Sequence, residues 1–459
     1  MIDNLTDTSY KEKKLLLFLL LFVAALGVAT SKIHTVAFFW APTVALLGFY
    51  LTIKTRNSYG AAHLFAGYIM GAEVYFRMSW SGLPWDFAKY AIIILLFTGL
   101  LVDKRERKLP LSMFVFLGLL LPGIFLTFDY YNDAFLIKKA IAFNLLGPLV
   151  LVTATFYFYK MTLNINEFVN LSRAIVLGVL TMSVLVLFNV GDYTAVKFTY
   201  SSSAGGSGGF SGNEVSMMFG VGILMLGINL LLNKRLFIYK SFDILLFLIF
   251  TFQALMTFSR GGLFSALISL SLGIFVYYFS NIHLFILFLK KSLLKIILII
   301  LLGIGVFFIV NEISGNKLYS RYFNVNESGQ QLKEDYSTGR EDIVIADIKL
   351  FKESNYVGVG VGVSKLERSS HKNFAAHVEY SRLLAEHGIL GLFIILILLG
   401  LPLLHFLKRI HSPLNNLILV SFSSLSLLTM LHAATRTGVV GFFFGLAFIL
   451  IVKEQIEKR

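Results

Sequence analysis

The chain has 459 residues, of which 57% are hydrophobic and only 14% charged, and its mean hydropathy is +0.77. An ordinary soluble domain carries roughly 25% charged residues, so the composition excludes a soluble enzyme and predicts an all-α, polytopic membrane protein. The absence of cysteine excludes disulfides, cysteine-ligated zinc, iron–sulfur clusters and a thiol nucleophile, while the net charge of +14 is a basic excess that serves topology first in a membrane chain.

A helix needs about 20 apolar residues to cross a bilayer. Runs of that kind predict about fourteen spans, near 15–31, 35–53, 59–78, 87–102, 110–128, 140–159, 171–190, 213–232, 242–258, 262–280, 293–311, 388–407, 415–432 and 438–452. The first run follows Lys11, Lys13 and Lys14 and lacks a small-residue cleavage site, so no cleaved signal peptide is expected. Lysine and arginine concentrate in alternate connections: Lys54 and Arg56, Lys104 and Arg105, Lys160 and Arg173, Lys234 and Arg235, Lys290 and Lys291, Lys408 and Arg409. The positive-inside rule then puts both termini in the cytoplasm and the long connection 312–387 outside. No aromatic-interleaved basic patch stands on a soluble domain, so nucleic acid is not an expected partner.

Two outer stretches break the apolar monotony. The stretch from Ser201 to Asn213, SSSAGGSGGFSGN, reads as a flexible linker or as a glycine-dense turn whose backbone N–H groups approach an anion or a sugar, with Asn213 as the cap of the following helix. The loop 312–387 is too long for a passive connection. Within it Thr338-Gly-Arg-Glu341 matches a capping box, and Val344, Ile345, Ile348 and Phe351 form an apolar stripe at helical spacing. Arg340 falls in the first turn, where the helix dipole and the guanidinium both favour an anion. After the VGVGVGV run from Val357 to Val363, a second helical stretch near 373–387 is expected to hold His377. That run lacks the strand, glycine spacing and helix of a dinucleotide site.

Three groups remote in sequence thus share the outer face. Arg260, in Phe258-Ser-Arg-Gly-Gly262, is either an interfacial anchor or a ligand-holding cation beside space opened by Gly261 and Gly262. Arg340 and His377 come from the loop. Arginines bind a diphosphate bidentately, and histidine accepts a proton near neutrality. A diphosphate leaving group held by arginines and displaced by a hydroxyl that a histidine deprotonates is glycosyl transfer. His371, Glu379, Glu386 and His387 crowd one segment, but no zinc spacing is present. Glu73 and Arg77, and likewise His432 and Arg436, stand four residues apart. The first pair is expected to form an ion pair, and the second to line the site.

Several of these segments resemble the bacterial O-antigen ligase and O-antigen polymerase superfamily, multi-span glycosyltransferases acting on undecaprenyl-diphosphate-linked glycans. Ser259-Arg-Gly-Gly262 before an apolar span is similar to its membrane-edge arginine motif. Thr338-Gly-Arg-Glu341 followed by Gly358-Val-Gly-Val-Gly362 resembles the start of its periplasmic loop. His377 with Gly388 and Gly391, and the segment Gly209-Phe-Ser-Gly-Asn213, complete the resemblance, which runs from about 205 to 395.

The resemblance implies residues 1–200 as N-terminal membrane helices and 201–459 as a catalytic membrane domain in the bacterial inner membrane, its active site periplasmic. It implies Arg260 and Arg340 holding the diphosphate and His377 as base or orienting group for the acceptor hydroxyl; Asn213, Gly261, Gly262, His432 and Arg436 are the residues expected around the substrate. Neither a metal nor another cofactor is expected. The implied partners are the undecaprenyl-diphosphate-linked glycan, an acceptor glycan or lipid A core, membrane lipids, a flippase and a chain-length regulator. Ligases usually carry Asn, Ser or Gln after the histidine where this chain has Val378, which favours a polymerase over a ligase. A lipid-linked oligosaccharide flippase is the reading from another class, and it would place its charges near mid-membrane in related halves.

Overall fold

The computed structural model describes residues 10–105, 108–199, 201–325, 330–331, 339–370, 372–408 and 412–452. Among these residues twenty α-helices follow one another. The first eight are α1 (Tyr10–Lys32), α2 (Thr35–Lys54), α3 (Ala61–Gly71), α4 (Glu73–Met78), α5 (Phe87–Val102), α6 (Leu111–Tyr130), α7 (Ala134–Phe158) and α8 (Ile165–Val190). Then come α9 (Gly212–Leu231), α10 (Lys240–Met256), α11 (Arg260–Phe279), α12 (Ile282–Leu287) and α13 (Leu293–Ile313). The long loop holds α14 (Lys317–Phe323), α15 (Arg340–Glu353), α16 (Ser364–Glu367) and α17 (Glu379–His387), and the chain closes with α18 (Ile389–Lys408), α19 (Pro413–Thr429) and α20 (Gly438–Leu446). Among the described residues the sheet content is one short parallel pair, β1 (Thr162–Asn164) beside β2 (Leu450–Val452).

The protein is an all-α polytopic membrane protein. Nine described helices are long and apolar enough to cross a membrane: α1, α2, α6, α7, α8, α9, α11, α13 and α18. The other five expected spans differ from the prediction. α5, α10 and α19 have 16 or 17 residues. The run 59–78 breaks at Ala72, where the chain brings Glu73 and Arg77 into the bundle interior as a buried ion pair. The last run gives only the nine residues of α20, because the chain then leaves the helix: Phe448 accepts from the Lys160 N–H and β2 pairs with β1.

Burial sorts the helices. α9 is buried on nearly every face, whereas α13 exposes Leu294, Leu298, Leu301 and Phe308. A helix apolar all round suits either a bundle core or a lipid contact, and with its backbone bonds made internally it can meet hydrocarbon. α11 packs between α9 and α19, α7 against α20 and α3 against α8. Connections rich in basic residues meet at one end of the bundle, where Arg173 bridges Glu12 and the Leu236 carbonyl. The long loop packs on connections at the other end, with Lys317 donating to the Phe198 carbonyl and Tyr130 to Glu367.

Within that loop the expected helices form with different faces and starts. α15 turns Ile343, Ala346, Asp347 and Leu350 inward, while Ile345 is 57% exposed, so the expected stripe is not the buried face. The reason is the charge pair of Asp347 with Arg368, which fixes the rotation of the helix. Gly339 occupies the cap position of α15; Thr338, expected there, lies outside the described residues. The VGVGVGV run is an irregular strip docked between α6 and α17 through Val359 N–H to Ala385, Gly360 N–H to Glu386 and Val361 N–H to Gly123. Gly360 has φ 100°, and a Cβ there would lie 2.8 Å from the Thr127 nitrogen, so only glycine fits. The second helical stretch starts at Glu379, which leaves His377 ahead of the helix rather than on it.

Candidate functional site

The site is built on the turn between α10 and α11. Phe258 adopts φ 55°, a conformation a bulky side chain holds only when its surroundings enforce it. Here the ring is fully buried and packs on Phe198. The next residue, Ser259, donates its hydroxyl to Asn213 Oδ1 at 2.8 Å, and its carbonyl accepts from the Ser216 hydroxyl. Arg260 therefore emerges as the first residue of α11 from a turn fixed on both sides.

The serine–glycine stretch supplies part of that fixation. Ser203 donates its N–H to the Thr257 carbonyl at 2.8 Å, so the stretch is a packed element and not a linker. Asn213 is not the helix cap expected for it. Ser211 holds that position, and Asn213, inside the first turn, aims its carbonyl oxygen at Ser259 and, at 3.4 Å, at the Arg340 guanidinium.

A cavity of about 380 Å³ opens here, bounded by Asn213, Ser259, Arg260, Gly261, Arg321, Arg340, Glu341, Val378 and Leu431 among others. Arg260 and Arg340 both start helices, so two helix N-termini add positive potential to two guanidinium groups. Burial and then the nearby Arg260 charge hold Arg340 below the ordinary arginine value, yet a guanidinium remains a cation at any working pH.

His377 stands directly behind this wall, its neighbour Val378 lining the cavity. Its ring bonds the backbone of His432, while Nδ1 is buried with no hydrogen-bond partner among the described residues. Burial, then Arg436 and Arg340, push the imidazole down to about 4.

The remaining expected residues take different places. Gly261 lines the cavity and seats the His432 ring, which a Cβ would strike at 2.6 Å. Gly262 does not line it; a Cβ there would meet the Met217 nitrogen at 2.4 Å, so this glycine serves the close approach of α11 to α9. His432 bonds Ser265 through Nε2 at 3.1 Å. Arg436 stays out of the cavity and donates to the carbonyls of Ala375 and Ala376, both at 2.9 Å, holding the segment that leads to His377.

Sequence reading missed Arg321 and Ser259 on the cavity wall. Arg321 lies in α14, a short aromatic-rich helix after α13, without the glycine pair that singled out Arg260. It also missed the clamp behind the site. Arg368 Nε pairs with Asp347 at 2.6 Å and Nη1 donates to the Phe374 carbonyl, while Ser381 donates to the other Asp347 oxygen. This ties α15, which starts at Arg340, to the segment carrying His377. Glu379 and Glu386 both pair with Arg382. His387 packs on Gly123, and His371 lies outside the described residues. Among the described residues no group of three or more metal-ligating side chains gathers.

No curated protein matches the chain. Residues 245–396, the segment that carries Arg260, Arg340 and His377, match the family model of the O-antigen ligase.

Proposed function

We propose that the protein is a membrane glycosyltransferase that moves a glycan from undecaprenyl diphosphate to a hydroxyl of a second lipid-linked repeat unit, at the outer face of the bacterial inner membrane. The supporting observation is the meeting of Arg260 and Arg340 at one cavity with His377 against its wall. Guanidinium groups aimed at the diphosphate stabilise the charge that grows on it as the bond from the anomeric carbon to its oxygen breaks. The acceptor hydroxyl oxygen forms the new bond to that carbon, and its proton passes to the His377 imidazole. The bonding electrons of the broken bond leave with the diphosphate, so no cofactor is required.

Electrostatics couples these roles. In the free protein His377 is neutral and a weak base, first because it is buried and then because Arg436 and Arg340 stand near it. A bound diphosphate offsets those cations and raises the basicity of the imidazole when there is a proton to accept.

Val378 after the histidine supports the polymerase reading over transfer to lipid A core. Gene deletion tests it: loss of a polymerase leaves single repeats on the surface, whereas long lipid-linked chains with naked core would show a ligase. Complementation with Arg260→Ala or His377→Ala is expected to fail at normal protein levels, and wild-type glycan from both variants would end the assignment. Arg260→Lys is expected to be impaired too, since a point charge cannot replace the bidentate fork.

A further inference from the structure

A second cavity, of about 230 Å³, is walled by aromatic rings. Trp80 and Trp85 stand on its rim, 69% and 45% exposed, over a floor that includes Phe76, Arg77 and Glu73. The floor is rigid. Arg77 bonds Glu73 at 2.6 Å and Glu214 at 2.8 Å and donates to the carbonyls of Trp85 and Arg436. Its guanidinium sits 5.1 Å from the Trp85 ring centroid, and Trp85 also stacks on the buried Phe210 at 5.8 Å. Trp80 meets Phe210 edge-on and holds φ 50°, a conformation costly for so bulky a residue.

Membrane-interface tryptophans need none of this support, because an aromatic belt works through partition alone. A strained, pre-organised ring beside a cavity open to the surface fits a ligand with a flat, weakly positive C–H face and a hydroxyl-bearing edge, which is a sugar ring. Two links join this space to the arginine cavity: Phe210 lies three residues before Asn213, and Arg77 holds the Arg436 carbonyl.

We infer that Trp80 and Trp85 form a glycan subsite that seats a sugar ring of a lipid-linked substrate next to the reacting groups. This rests on the transfer reading above and adds the element that read the saccharide rather than the diphosphate. The chain has three tryptophans, so in a Trp40→Phe background fluorescence reports only Trp80 and Trp85. The probe is the soluble repeat-unit oligosaccharide released by mild acid from the host's lipid-linked intermediate. A saturable emission change is expected, lost in Trp80→Ala and kept in Trp80→Phe when followed through Trp85. In transfer assays Trp80→Ala should raise one substrate's KM about tenfold with kcat near wild type, and Trp80→Phe should restore most of it. The KM that moves tells donor sugar from acceptor sugar. No emission change together with unmoved KM values overturns the subsite, as does a change seen only with sugar-free undecaprenyl phosphate, which would make the tryptophans a lipid anchor. Oligosaccharide binding without any transfer by the wild type would instead overturn the transferase reading and leave the subsite standing.

Discussion

His377 faces Arg436, Arg340 and Arg368 from a largely dehydrated position, and its ordinary value of 6.5 falls to about 4. As pH drops below 6.5 the free protein therefore keeps a neutral imidazole, and the acid limb of kcat/KM is expected near pH 4. The limb of kcat should sit higher, because the bound diphosphate offsets the arginines. Folding stability carries the same sign: the unfolded chain takes the proton first, so His377 costs stability as pH falls from 6.5 through about 4. A pH–rate profile checks this, and equal limbs for kcat and kcat/KM would contradict the coupling. At this scale the sequence disclosed which residue types to watch, through the arginine before two glycines and the histidine ahead of Gly388 and Gly391. It could not disclose which atoms face the cavity. Gly262 reads like ligand space but serves helix packing, Arg436 reads like a lining residue but holds backbone, and Arg321 had no motif around it.

Among the elements, α15 and α17 decide the geometry because they carry or flank the loop residues of the site. Their registration depends on one fully buried pair, Asp347 with Arg368. Removing one partner of a buried pair leaves an uncompensated charge, at a cost of about 3–5 kcal/mol. Asp347→Ala is expected to lower the thermal midpoint and to cut transfer severely although Asp347 is absent from the cavity wall. Asp347→Asn, which keeps an acceptor for Ser381, should fall between; a wild-type midpoint and rate in Asp347→Ala would show that the clamp is dispensable. α15 was legible from its spacing, but its inward face was not, since an apolar stripe of Ile345 and Ile348 competes with a charge pair whose partner lies outside the helix. The start of α17 was also hidden: the segment before it is extended because Glu379 N–H bonds the Met430 carbonyl, a contact between distant parts of the chain.

At the scale of the whole molecule, composition and apolar runs suffice for a polytopic helical protein, because lipid tolerates few backbone solutions. They do not give the shapes of the irregular spans. The break at Ala72 and the short α20 arise from tertiary demands, the buried Glu73 and Arg77 in one case and the β1–β2 pairing in the other. Both bear on the site, since Arg77 holds the Arg436 carbonyl and Glu73 accepts the N–H of Gly438 at the start of α20. The most direct test of the account is reconstitution of the purified protein in proteoliposomes with the host's lipid-linked repeat unit, following release of undecaprenyl diphosphate and length of the glycan together. Wild-type protein should release the diphosphate in step with glycan lengthening, and Arg260→Ala, Arg340→Ala and His377→Ala should each abolish both. Release that is unchanged in these three variants, or none from the wild type, would contradict the proposed site.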